Sequence, residues 1–168
     1  MQRPIPSNNP QLFAKEKESY YFDRKSARKD VDDIARHIAA FANAAGGKLV
    51  IGIEDNGEIT GFKRSGAHDI EDFKQAAITS CSPSPRARCQ EVSCINSRDE
   101  DDLILVIDVD PSTDRVIARK RDNEVFLRQG DRSVKLDREQ VRALEYDKNQ
   151  RRFEDEVAGR STIEDIDP

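Results

Sequence analysis

Tryptophan is absent from this 168-residue sequence, methionine occurs once, and histidine occurs only at His37 and His68. The three cysteines, Cys81, Cys89 and Cys94, form no CxxC pair. A structural zinc site needs four closely spaced ligands, so a zinc module is not expected and the thiols read as free, small apolar residues. Aromatics make up 6% of the chain, which leaves little material for a platform on which bases stack. No apolar run reaches the ~18 residues of a membrane span. The opening "MQRPIPSNNP" lacks the apolar core of a secretion signal. The expected location is therefore cytoplasmic, with no membrane partner. Neither GxxxxGK[ST] nor GxGxxG occurs, so ATP binding is not expected.

Charge is what the chain has in quantity. Charged residues make up 36%, as many as the apolar ones. The apolar share is low and the charged share high for a globular chain, which points to one compact domain with charged ends. The formal net charge is -5, so bulk charge does not select nucleic acid as a partner. Only a local basic patch can do so.

The periodicity divides the chain into a disordered arm over 1–11, a domain over 12–146 and a charged tail or linker over 147–168. "LFAKEKES" (12–19) reads as a short helix and "YYFDRKSA" as a strand. Residues 30–45 are the clearest helix: Ile34, Ala35, Ile38, Phe41 and Ala42 recur at spacings of three and four, Asp30 stands at the N-cap and Gly46-Gly47 at the stop. "KLVIGI" (48–53) reads as a strand buried on both faces. Asp55-Asn56-Gly57 is a hairpin signal with "EITGF" as the returning strand. A second helix is predicted over 68–81, strands over 87–95 and 102–109, a hairpin over 115–119 and 124–128, and a last helix over 138–146 capped by Asp137. The fold class is α+β: a mixed sheet of about six strands with two to three helices against it.

Three stretches resemble the Schlafen AlbA_2 family. "ESYYFDRKSA" (18–27) is similar to its E-S-x-x-x-E-F-K-x-S, with Asp23 in place of the glutamate and Arg24 in place of the apolar residue. "FANAAGGKLVIGIEDNGEITGF" is similar to its A-F-A-N-x-x-G-G signature and the strand and turn that follow. "VFLRQGDRSVKLDREQVRAL" (125–144) is similar to its arginine-containing hairpin and the helix after it. The resemblance implies an AlbA-like sheet-and-helix fold that binds nucleic acid. Animal members pair two such lobes into a clamp that cuts transfer and ribosomal RNA at a three-carboxylate metal site. Many bacterial members are described only as binding modules of regulators.

On this resemblance Glu18, Asp23 and Asp55 take the places of the three carboxylates, Glu54 stands beside Asp55 as a competitor, and Lys25 takes the place of the motif lysine. Carboxylates of this kind suit Mg2+ or Mn2+, which would activate water and offset charge on a phosphate. Glu18 and Asp23 converge only if Glu18 precedes the strand on a bend. Taken alone, Asp55-Asn56-Gly57 is simply a good turn and Glu18 a solvated acid. Asn43 reads either as a backbone partner at its helix end or as a ligand contact. The cationic candidates for phosphate are Arg24, Lys25, Lys63, Arg64, Arg86, Arg88, Arg119, Lys120, Arg121, Arg128 and Arg132, with Arg128 matching the family arginine and 118–123 the densest cluster. The leading reading is a metal-dependent endoribonuclease cutting structured, tRNA-like RNA, as a homodimer. The alternative is a non-catalytic DNA- or RNA-binding module of a bacterial transcriptional regulator or defence protein. A protein-interaction domain with a solubilising surface is a third.

Overall fold

The computed structural model describes residues 8–166; most of the expected N-terminal arm lies outside them. Helix α1 (Pro10–Lys15) is followed by strand β1 (Phe22–Lys25), helix α2 (Val31–Asn43) and strand β2 (Gly47–Ile51). Short helices α3 (Ile70–Lys74) and α4 (Ala76–Thr79) lead to β3 (Cys81–Ser82), β4 (Ala87–Ile95) and β5 (Asp101–Val109). The remaining elements are β6 (Ala118–Arg119), β7 (Glu124–Gln129), β8 (Arg132–Lys135) and α5 (Arg138–Ile166).

The fold is α+β, and its eight strands form two sheets of four rather than one sheet of about six. In the first, ordered β1-β2-β5-β4, β1 runs parallel to β2 and the other pairs are antiparallel. The second is ordered β3-β6-β7-β8 and is antiparallel throughout. Helix α2 packs against β2 and β5 of the first sheet and against β6, β7 and β8 of the second. That position explains why the helix is so apolar: nine of its residues are buried, including Ile34, Ile38 and Phe41. They join Leu49, Ile51, Leu105 and Ile107 in the main core. A smaller core on the opposite face of the first sheet gathers Phe13 of α1 with Phe22, Val50, Ile104 and Val106. The alternation along β1 therefore sends Phe22 and Arg24 toward α1, and Asp23 toward α2 and the second sheet.

Three elements differ from the sequence reading for local reasons. "EITGF" forms no strand. Only Ile53 and Ile59 bridge, because Thr60 and Gly61 both turn their N–H groups back to the Gly52 carbonyl. The predicted 68–81 helix divides at Gln75, whose N–H reaches both the Glu71 and Phe73 carbonyls and tightens the turn. The 138–146 helix continues to Ile166, so the described part of the charged tail is helical. Its start is a reciprocal cap: the Asp137 carboxylate accepts from the Gln140 N–H, and the Gln140 side chain accepts from the Asp137 N–H.

Candidate functional site

Strand β1 carries Asp23 inward, where its side chain is 2% exposed. A carboxylate there needs partners, and it has them on both oxygens. Oδ2 accepts from Arg128 Nη1 at 2.8 Å. Oδ1 accepts from the Arg24 backbone N–H at 2.8 Å and lies 3.5 Å from Lys25 Nζ. Arg128 comes from β7, fully buried. Its Nε and Nη2 donate to the Ser19 carbonyl, Nη2 also to the Phe22 carbonyl, and Nη1 to Ser133 Oγ at 3.1 Å. The guanidinium lies over the Phe41 ring at 4.6 Å. Every guanidinium nitrogen is thus engaged inside the protein, which leaves Arg128 no donor for the phosphate expected of it.

His37 completes this cluster from α2. Its Nδ1 lies 2.8 Å from Ser133 Oγ and 3.7 Å from Asp23 Oδ2. The two nearby acids, Asp23 and Asp33, would favour a charged ring, but the ring stays neutral. Burial lowers its pKa to about 2, and the cations Lys25, Arg36, Arg128 and Lys29 push the same way. Asp23 is already committed to Arg128, so it offers the imidazolium little. His37 and Ser133 were not among the sequence candidates. His37 had a signal, a polar residue at helical spacing within the apolar stripe of Ile34, Ile38 and Phe41. Ser133 had none, because only the hairpin fold brings it to α2.

Glu18 lies in the bend before β1, as convergence with Asp23 requires. Its carboxyl is within hydrogen-bonding reach of Asp23 and feels Asp55 as well. Burial raises its pKa first, Asp23 and Asp55 raise it further, and Lys25 opposes them. A carboxyl whose folded pKa is raised costs the native state stability above that value, and the cost disappears as the pH falls below the ordinary 4.5. Glu18→Gln is therefore expected to melt higher than the wild type at pH 7, with the two curves coinciding near pH 4. Equal melting temperatures at both pH values would show that the carboxylates do not crowd one another.

Arg24, which stands where the resembling motif has an apolar residue, clamps this edge together. It donates to the carbonyls of Phe13 and Glu16 at the end of α1 and, at 3.4 Å, to the Asp55 carbonyl. Asp55 itself is exposed on its turn. There Gly57 adopts φ +90, which suits glycine, and a Cβ would come 2.6 Å from the Ala14 carbonyl oxygen. Glu54 bonds Thr60 and Arg28 instead of joining Glu18. Among the described residues no three His, Cys, Asp or Glu side chains form a group that could hold a metal ion. Glu18, Asp23 and Asp55 are neighbours at one sheet edge, but as placed they form no cation-holding group, and both oxygens of Asp23 already accept hydrogen bonds inside the protein.

The remaining cationic candidates separate into paired and unpaired. Arg64 holds Glu58 at 2.8 Å, Arg88 holds Asp110 at 3.0 Å, and Arg119 holds Asp122 at 2.6 Å. Arg121 lies 3.6 Å from Asp32. Two of the three cations in the 118–123 cluster are thus matched to acids, Arg119 to Asp122 and Arg121 to Asp32 of α2. Lys63, Arg86, Lys120 and Arg132 are exposed and make no ion pair among the described residues. Asn43 serves backbone, though not at its own helix end. Its amide donates to the Ile117 and Phe126 carbonyls, each at 2.8 Å, and accepts from the Ile117 N–H at 2.7 Å.

Two sheets clasped around one helix, with three acids near one edge of the first sheet, define an α+β domain. Residues 18–137 match the Schlafen AlbA_2 family model, and the chain belongs to that family. The family suggests a nucleic-acid-binding domain. A search of curated proteins finds no match to the chain. Among the described residues no helix is long and apolar enough to cross a membrane.

Proposed function

We propose that this domain binds structured RNA through its phosphates and uses Asp23 as scaffold rather than as a catalytic ligand. One observation carries the reading: Asp23 and Arg128 bind each other in the core, with every polar atom of both engaged. Exposed cations without acidic partners then supply the attraction, which is independent of sequence and weakened by salt. The family's animal members act on folded RNA, which favours RNA over duplex DNA. Within the same reading two copies pair; an exposed stripe of Tyr146, Phe153 and Val157 along α5 supports this.

A second reading, a divalent-metal-dependent endoribonuclease, has one observation in its favour: Glu18 is crowded by Asp23 and Asp55, and a cation would relieve that repulsion. The test is a labelled transfer RNA and a labelled DNA duplex, each with Mn2+, Mg2+ or chelator, for the wild type and Glu18→Gln. A salt-sensitive gel shift with intact RNA in every lane is the expected result. Metal-dependent cutting lost in Glu18→Gln would replace the first reading by the second. No shift at low salt would remove both. Light scattering that returns a monomer at micromolar concentration would remove the pairing alone.

A further inference from the structure

A concavity lined by none of the carboxylates Glu18, Asp23 and Asp55 runs along the seam between α5 and the second sheet and reaches the loop at 111–115. Three clefts of about 870, 400 and 370 Å3 run into one another there. The first two share Ser82, Pro83 and Val116, and the last two share Asp114 and Arg115. Five arginines line this trough: Arg86, Arg115, Arg138, Arg142 and Arg152. All five are exposed, and none makes an ion pair among the described residues. The acids of the trough are Glu124, Asp114 and Glu145, and Glu124 is already held by Lys135 at 2.9 Å. The arginine-rich hairpin tip at 118–123 shows the opposite pattern, with two of its cations matched to acids.

Exposed arginines without acidic partners leave a positive potential over the trough and keep their donors open to a ligand. Their planar, five-donor heads match phosphate oxygens. The body of the trough also holds a lysine: Lys148 is buried, donates to the Ser112 carbonyl, and has its pKa lowered by burial and by Arg151. It adds to the positive potential of the floor without being free to leave. No aromatic side chain lines the trough, so bases have no surface to stack on.

We infer that the α5 trough is the surface that takes the nucleic-acid backbone, binding a folded or duplex strand by its phosphates with no base preference. The inference rests on the nucleic-acid reading above and adds where the polymer lies. It places the polymer away from Glu18, Asp23 and Asp55.

The experiment is a salt titration of binding to a labelled hairpin RNA for the wild type, for Arg115→Glu/Arg152→Glu, and for Arg88→Glu/Arg121→Glu, exposed arginines already paired with acids, as a matched reversal outside the trough. The trough variant is expected to bind at least about tenfold more weakly. Its plot of log affinity against log salt should flatten by about 0.7–0.9 for each phosphate that is no longer neutralised. The outside variant should stay within about twofold of the wild type. The neutral Arg115→Gln/Arg152→Gln, less prone to disturb the helix, should fall between. Wild-type binding unchanged by the trough reversal, or an equal weakening in both reversals, overturns the trough and leaves RNA binding intact. No binding by the wild type removes the nucleic-acid reading and the trough with it.

Discussion

Asp23→Ala is expected to lower the unfolding free energy by about 3–5 kcal/mol, the usual consequence of leaving one buried charge without its partner. The orphan would be Arg128, whose side chain is 0% exposed and whose Nη1 would keep Ser133 but lose its carboxylate acceptor. Urea denaturation measures the loss. Arg128→Met should cost a similar amount by leaving Asp23 stranded, whereas Asp23→Ala with Arg128→Met should cost less than the two added together. That shortfall is the signature of a coupled pair. An Asp23→Ala variant that holds or raises stability would show that relief of the repulsion with Glu18 outweighs the lost pair. The same measurement also guards activity assays, since a lost function in an unfolded Asp23 variant says nothing about chemistry.

Asn43→Ala is the second large expected effect. Its side chain closes three hydrogen bonds to the backbone of residues 117 and 126, and it is buried. Removing it leaves the Ile117 N–H and two carbonyls without partners in a dry interior. Each such group costs about 1–3 kcal/mol, so a total near 3 kcal/mol or more is expected. In a domain of this size that corresponds to a melting temperature lower by about 6–12 °C. Asn43→Asp keeps the acceptor for Ile117 but turns a carboxylate toward two carbonyl oxygens, and should be at least as damaging. Melting curves for both variants near the wild type would show that water replaces the amide.

The legible part of the fold is the part written in local periodicity. Helix α2 announced itself by its apolar stripe and glycine stop, and β2 and β5 by their runs of Leu, Val and Ile. The five-residue spacing of Glu18 and Asp23 made a bend before β1 a condition for their meeting, without predicting one. What escaped is what depends on distant partners. Two sheets instead of one cannot be read from strand patterns, because strands such as β3 and β6 are two residues long and exist only by pairing with each other and with β7. Arg128 reads as a surface cation in "FLRQG", yet an arginine stays buried when a carboxylate and three carbonyl or hydroxyl oxygens await it, and those come from residues 19–23 and 133. The unpaired arginines of the α5 trough are scattered over residues 86–152 and share no motif. Length misled in one place: nothing in the charged, aperiodic sequence after residue 146 marked a helix that continues for about another five turns.

The clasp between β1 and the β7–β8 hairpin also governs how the chain reaches its fold. Asp23 and Arg128 are separated by 105 residues, Ser19 and Arg128 by 109, and Asn43 and Phe126 by 83. Closing loops of that length is entropically demanding before any contact rewards it, so such topologies fold on the slow side, in milliseconds to seconds. During synthesis β2, β5 and β4 can pair once residue 109 has emerged, while β1 at the sheet edge still lacks the arginine that its Asp23 will bind. A nascent chain stalled between those two points should show protected amides in β2, β4 and β5 and open ones in β1.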